Sequence, residues 1–456
     1  MSKKPFVQKV AEQPSKILDD SITAAQKVNE NIKSAPAVKK AKDYWYSLGP
    51  GLTTGASDDD PSGIATYSQA GAQFGYSFLW LSALTFPLMS LVQEMCARIG
   101  LVTGRGLAGN IRIHFSKRVI SFTAFLLFCA NTFNIGANLG AMAQAVRLLQ
   151  PNWNFGILVL VFAVISIGLQ VFTPYERYAR YLKWLALVLI AYIASAFLAN
   201  LQWGEVMKSA FVPTFEISKD FMLMFCAILG TTISPYLFFW QTSQEIENQI
   251  QQGKTTIKLR TGTNKKELKD MRVDVWSGMF LSNLVMFFII AACGTILYGN
   301  GITNITSAAQ AAEALRPFAG DATYLLFAIG IIGTGLLAIP VLAGSSSYAI
   351  SEGLKWKAGL SHNLRQARAF YGIIIFSVAI GFALNFIGLD PIRALIYSAV
   401  ANGIVAPIVL TLIVLISSNK KIMGEWVNKK ITTVMGWLVT LTMALAGVGA
   451  IVSFFL

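Results

Sequence analysis

The chain has 456 residues, of which 54% are hydrophobic and only 13% charged, with a mean hydropathy of +0.56. Soluble domains carry about 25% charged residues, so this chain is too poor in charge to cover a water-facing surface of its size. The net charge of +14 invites a nucleic-acid reading, but the charges gather between apolar runs of about 20 residues, the length that crosses a bilayer core. The composition predicts an all-α polytopic membrane protein and excludes a disulfide scaffold, a disordered chain and a nucleic-acid binder.

Residues 1–45 form a polar tail with nine lysines and no apolar stretch of the signal-peptide kind. Leu18, Ile22, Ala25 and Ile32 recur at near-helical spacing, which leaves open both a surface amphipathic helix and a solvated, partly disordered tail. The membrane domain, 46–456, holds eleven predicted spans: 46–75, 78–101, 119–146, 154–173, 180–201, 221–248, 273–298, 321–351, 367–388, 391–417 and 431–456. Cys96, Cys129, Cys226 and Cys293 sit inside apolar runs without metal-type spacing, and His114 and His362 fall in connecting loops.

Lysine and arginine test this map. With the N-terminus inside, 32 of the 37 fall in inside segments, leaving Arg147, Lys208, Lys219, Arg316 and Arg393 outside. That asymmetry follows the positive-inside rule. It predicts a bacterial-type inner (plasma) membrane protein with a cytoplasmic N-terminus and an extracytoplasmic C-terminus.

Two spans are interrupted. In the first, Asp58, Asp59, Asp60, Pro61 and Gly63 stand between apolar flanks; in the sixth, Gly230, Thr231, Ser234, Pro235 and Tyr236 do so. Proline removes a backbone donor and breaks a helix, and freed carbonyls at membrane depth need a cavity or a ligand. Spans one and six each open a group of five. An odd group inverts the next, so the two breaks read as inverted repeats (46–201 and 221–417) followed by helix 11 (431–456). Matching broken helices in inverted halves point to a transporter with its site at the midplane. Two ligand-free proline kinks would not explain the aspartates.

Charges at membrane depth are costly and functional. Asp60, immediately before Pro61, is the first candidate ligand. On a continuous helix neighbours point about 100° apart, so Asp58 and Asp59 are expected either to join it or to line an aqueous vestibule. Carbonyls and carboxylates make an all-oxygen anionic site suited to a hard cation such as Mg2+, Mn2+ or Ca2+.

At these residues the sequence resembles the NRAMP (natural resistance-associated macrophage protein) family of divalent-metal transporters. The resemblance lies in Asp60-Pro61-Ser62-Gly63, in Gln73-Phe74-Gly75-Tyr76, in Ala97-Arg98-Ile99-Gly100 through Gly104, and in Lys421-Ile422-Met423-Gly424. It spans roughly residues 46–440. It implies a LeuT-type fold with two inverted five-helix repeats plus an eleventh helix, helices 1 and 6 unwound at the midplane, and a metal ion as transported substrate with no cofactor.

The same resemblance exposes departures. The family's asparagine ligand aligns with Gly63, its methionine with Ser234, and its carbonyl-donating alanine with Thr231. Its sixth-span histidines align with Tyr236 and Gln241, and its third-span acids near Asn134 and Ala137. Loss of the sulfur removes the ligand that favours transition metals, and Asn and Gln do not titrate. The expected function is transport of a hard divalent cation, Mg2+ or Mn2+ first, without obligatory proton coupling. The expected substrate-binding residues are Asp60, Thr231, Ser234, Gly63, Asp59, Asp58 and Tyr236, with Asn134, Ala137 and Gln241 as altered proton-path positions.

Three further expectations concern polar and aromatic residues. Ser345, Ser346, Ser347 and Asn402 either hydrate a cation or bond between helices. Trp80, Trp203, Trp356, Trp426 and Trp437 read as interfacial anchors, and Glu94 as the partner of a nearby base. The alternative function keeps the fold but carries a small organic solute with a cation, using space left by Gly63 and Ser234. An intramembrane enzyme is not expected, since no second span holds a partner aspartate in protease context. The partners are the metal ion and the lipid bilayer.

Overall fold

A computed structural model describes residues 49–173, 190–198, 201–216, 218–305, 307–453 and 455. The tail at 1–45 and residues 180–189 of the fifth predicted span lie outside the described residues. Secondary structure among the described residues is helical, with no strand.

The first predicted span is two helices, α1 (Pro50–Asp58) and α2 (Pro61–Phe74). Spans two to five correspond to α3 (Leu79–Thr103), α5 (Lys117–Leu149), α6 (Phe155–Phe172) and α7 (Ile190–Leu198), with α4 (Leu107–His114) in the loop before α5. A further loop helix, α8 (Trp203–Phe211), precedes the sixth span, itself divided into α9 (Lys219–Thr232) and α10 (Pro235–Gln251). The remaining long helices are α11 (Lys265–Ile296), α12 (Thr323–Gly353), α13 (Arg368–Leu384), α14 (Pro391–Ser417) and α15 (Lys430–Ser453). Among the described residues, eight helical stretches are long and apolar enough to cross a membrane, α9 and α10 counted together as one, and α13 is a shorter apolar helix.

The helix starts follow local chemistry. Ser116, Asn154, Ser218, Asn264 and Asp390 each accept a backbone N–H of the first turn, which satisfies donors that a helix start leaves open. Pro61, Pro235 and Pro391 occupy first-turn positions where no N–H is needed.

Backbones approach closely where glycines face each other. A Cβ on Gly55 would run into the Gly278 backbone, and one on Gly230 into the carbonyl of Ala399. Thus α1 lies directly on α11, and α9 on α14, as small residues allow in membrane bundles. Asp274 of α11 also holds the start of α1, accepting from Gly51 N at 2.6 Å and Leu52 N at 3.1 Å.

Most of the weaker expectations resolve here. Glu94 pairs with Arg272 at 2.7 Å and accepts from Trp276. Ser345 donates to the Tyr236 carbonyl and Ser347 to that of Phe370, while Ser346 accepts from Asn131; all three serines bond between helices. Trp80 departs from its expected role. It is only 6% exposed and packs against Phe215 and Phe225, because the α8–α9 connection folds over the start of α3.

Candidate functional site

The chain leaves α1 at Asp58, bends through Asp59 and Asp60, and re-enters helix at Pro61. Asp60 is the cap of α2, with extended backbone (φ −70, ψ 172). Its Oδ1 accepts from Gly63 N at 2.9 Å and from Ser62 Oγ at 2.5 Å. Its Oδ2 accepts from Asn134 Nδ2 at 3.3 Å and Asn138 Nδ2 at 3.1 Å, both on α5. Asn134 in turn accepts from Ser398 of α14.

Asp58 and Asp59 turn the other way. Ser282 of α11 donates to Asp58 Oδ2 at 2.6 Å and lies 3.3 Å from Asp59 Oδ1. The helix ends at Asp58, so the 100° helical spacing does not govern Asp59 and Asp60. Asp58 and Asp60 are 0% exposed and Asp59 1%, so none lines an open vestibule in this conformation. No lysine or arginine pairs with any of the three among the described residues. Asp58 Oδ1, Asn138 Oδ1 and Asn131 Oδ1 are buried oxygens with no hydrogen-bond partner.

The second break is built differently. Thr232 ends α9, Ile233 is irregular, and Ser234 precedes Pro235 with extended backbone. The Ser234 side chain does not cap α10; its Oγ turns back to the carbonyls of Gly230 and Thr231, each at 2.7 Å. These are carbonyls that the break leaves without a helical donor. The hydroxyl oxygen keeps its lone pairs.

Two phenols tie the breaks together. Tyr67 Oη of α2 lies 3.0 Å from Thr232 Oγ1 at the end of α9. Tyr236 Oη of α10 donates to the Ser57 carbonyl at the end of α1, also at 3.0 Å. Gly63 faces the gap: a Cβ there would stand 3.2 Å from the Asp58 carbonyl oxygen, 3.3 Å from Thr231 Oγ1 and 3.4 Å from the Tyr67 ring. A methyl group at Gly63 fits only if these neighbours give by a few tenths of an ångström, which leaves little space for the organic moiety of the alternative function.

Of the positions expected along a proton path, Asn134 touches Asp60 directly and Ala137 is buried one helical turn along α5. Gln241 donates to Glu245 at 3.0 Å. Sequence reasoning missed Ser282, Tyr67, Thr232, Ser398 and the buried Glu245. Ser282, Tyr67 and Ser398 are ordinary residues in apolar runs and carry no local signal, whereas Thr232 stands inside the second break itself. Glu245 did carry one, as an acid within span 221–248. Asn402 has neither amide atom paired. No group of three or more His, Cys, Asp or Glu side chains is arranged to hold a metal among the described residues; the donors at the breaks are carboxylates mixed with carbonyl, hydroxyl and amide oxygens.

Comparisons with known proteins agree with this architecture. Two proteins named divalent metal cation transporter MntH, from Klebsiella pneumoniae strains 342 and MGH 78578, are each 26% identical to this chain. The alignments cover 92% and 93% of the chain and 95% and 97% of those proteins. The crystal structure of an Eremococcus coleocola manganese transporter, in complex with an aromatic bis-isothiourea compound, superposes with a TM-score of 0.68 at 18% identity. That match covers 90% of this chain and 87% of that one. The inward-facing structure of Mhp1 superposes at 0.50 and 15% identity, covering 90% of each chain. The fold is thus LeuT-type, with its first and sixth helices unwound. The sequence profile of the natural resistance-associated macrophage protein-like family matches residues 51–453, and the chain belongs to that family.

Proposed function

We propose that this NRAMP-family divalent metal transporter carries a hard divalent cation, Mg2+ or Mn2+ first, without obligatory proton coupling. One observation carries the reading: Asp60 is a fully buried carboxylate at a helix break with no lysine or arginine paired to it among the described residues. A buried charge of this kind demands a compensating partner.

The cation sits beside Asp60, within reach of Asp58, Asp59, the Thr231 carbonyl and the Ser234 hydroxyl, with Gly63 and Tyr236 closing the gap. In the present conformation Asn134 and Asn138 offer amide nitrogens to Asp60. A cation arriving there favours the opposite amide orientation, oxygens inward, since amide oxygen accepts where nitrogen donates. Asn138 already has an unpaired oxygen to offer. All these donors are hard oxygens, which fits Mg2+ and Mn2+ better than softer metals. The relatives named for divalent metal and for manganese support the divalent class. Absence of titratable groups at Asn134, Ala137 and Gln241 supports uncoupled transport. The charge asymmetry supports a cytoplasmic N-terminus in an inner, plasma-type membrane.

The test is flux into proteoliposomes with a panel of cations. The expected result is Mg2+ or Mn2+ uptake by the parent chain, loss of that uptake in Asp60→Ala, and no lumen pH change in proportion to metal. Undiminished uptake by Asp60→Ala would overturn the site, and proportional acidification would overturn the coupling.

A further inference from the structure

Far along the chain from the paired breaks, three features meet at the C-terminal end of α12. The first is a backbone stop. Trp356 N donates to Ser351 O at 2.8 Å and Lys355 N to Glu352 O at 3.3 Å, the bond pair of a helix ended by a left-handed residue. Glycine normally fills that position. Here it is Lys355 (φ 63), the sole non-glycine residue with positive φ among the described residues. A lysine there carries a backbone cost that glycine avoids, so its side chain is the feature to explain.

The second feature is an apolar groove of about 210 Å³ between α5 and α12, lined by Ile120, Ala124, Phe125, Phe128, Ile350 and Leu354. Phe125 is 63% exposed. Leu354 of the groove directly precedes Lys355, and Lys117 and Arg118 begin α5 just before Ile120.

The third is a cleft of about 580 Å³ that Lys355 itself lines, together with Arg105, Arg112, Arg260, Trp356 and His362. Its carboxylates are already engaged. Glu247 accepts from Tyr348 Oη, Leu360 N and Ser361 N, and Glu352 accepts from Gly109 N. The Arg112 Nε and Nη1 donors, by contrast, are buried without a hydrogen-bond partner, although the Glu352 carboxylate is near enough to feel the Arg112 charge. Trp356, 46% exposed, stands where interfacial tryptophans stand.

We propose that this corner is a binding site for an anionic phospholipid. One acyl chain lies in the α5–α12 groove, and the headgroup phosphate is held at Lys355 and Arg112, with Lys117 and Arg118 at the rim. Charge selects the lipid. Several cations with free donors surround the head end of an apolar groove, the arrangement by which basic juxtamembrane clusters choose anionic over zwitterionic lipids. Lys355 joins the two parts, because it lines the cleft and directly follows Leu354 of the groove.

The test measures lipid binding to the full chain in neutral detergent, with phosphatidylglycerol against phosphatidylcholine and inorganic phosphate as a soluble competitor. The parent should prefer phosphatidylglycerol by about fivefold or more. Lys355→Gly should abolish that preference while the melting temperature holds or rises, since glycine relieves the backbone; a folding defect would move both the other way. Ala124→Phe should weaken binding of both lipids by filling the groove with the charges untouched. Equal affinity of the parent for the two lipids would overturn the proposal, as would unchanged selectivity in Lys355→Gly. Phosphate displacing the lipid with no effect of Ala124→Phe would assign the cleft to a free anion. A parent dimer split by Ala124→Phe would give the groove to a second copy. Either result sinks the lipid site.

Discussion

At the first break the chain re-enters helix behind a carboxylate, and at the second behind a hydroxyl turned backward. Asp60 draws its donors from its own next turn and from α5, across the bundle. Ser234 closes on the two carbonyls just before it. Both satisfy backbone groups that an unwound helix exposes. Only the first concentrates charge, and only the first depends on donors from another helix. Under the proposed function, such donors would be exchanged for a cation without unwinding anything further, and the second break would supply neutral oxygens.

That asymmetry makes the two breaks unequal under mutation. Asp60→Ala should have the largest effect, reducing Mn2+ flux in proteoliposomes by about a hundredfold or more, as expected when the buried carboxylate at the helix break is lost. Flux within a few fold of the parent would make the two breaks equivalent. Gly63→Leu comes next: its side chain meets the Asp58 carbonyl and Thr231 Oγ1, so flux should fall about tenfold, with folding checked by gel filtration. Ser282→Ala removes the hydroxyl donor to Asp58 and should lower stability by about 1–3 kcal/mol, read as a drop in melting temperature that saturating Mn2+ narrows. A drop that metal leaves unchanged would separate Asp58 from the cation. The smallest effect is expected at the second break, where Ser234→Ala frees two carbonyls that water or cation can reach; a loss of about 1 kcal/mol with flux reduced less than tenfold is the expected outcome.

The breaks themselves were legible because their signals are local. Pro61, Pro235 and the aspartate run stand out in apolar stretches, and no uninterrupted membrane helix would carry them. Apolar runs of bilayer length gave the span map in the same local way. What surrounds the breaks was not legible. Ser282 lies 224 positions from Asp58 along the chain, and a serine in an apolar run looks the same whether it packs or bonds. The inward turn of the Ser234 hydroxyl is a rotamer choice, invisible to composition. The burial of Trp80 depends on how a loop folds back, which spacing does not encode. Asn134 was read as a lost proton group; its actual contact, the Asp60 carboxylate, belongs to the geometry of α5 against α2.

The crossed phenols bear on how such a molecule can open. Tyr67 bolts α2 to α9, and Tyr236 bolts α10 to α1, so each fastening joins one half of the first broken helix to one half of the other. Releasing one bolt leaves its counterpart shut. Because the two contacts join different helix pairs, one can part while the other holds, within packing that also joins α2 to α9 and α10 to α1.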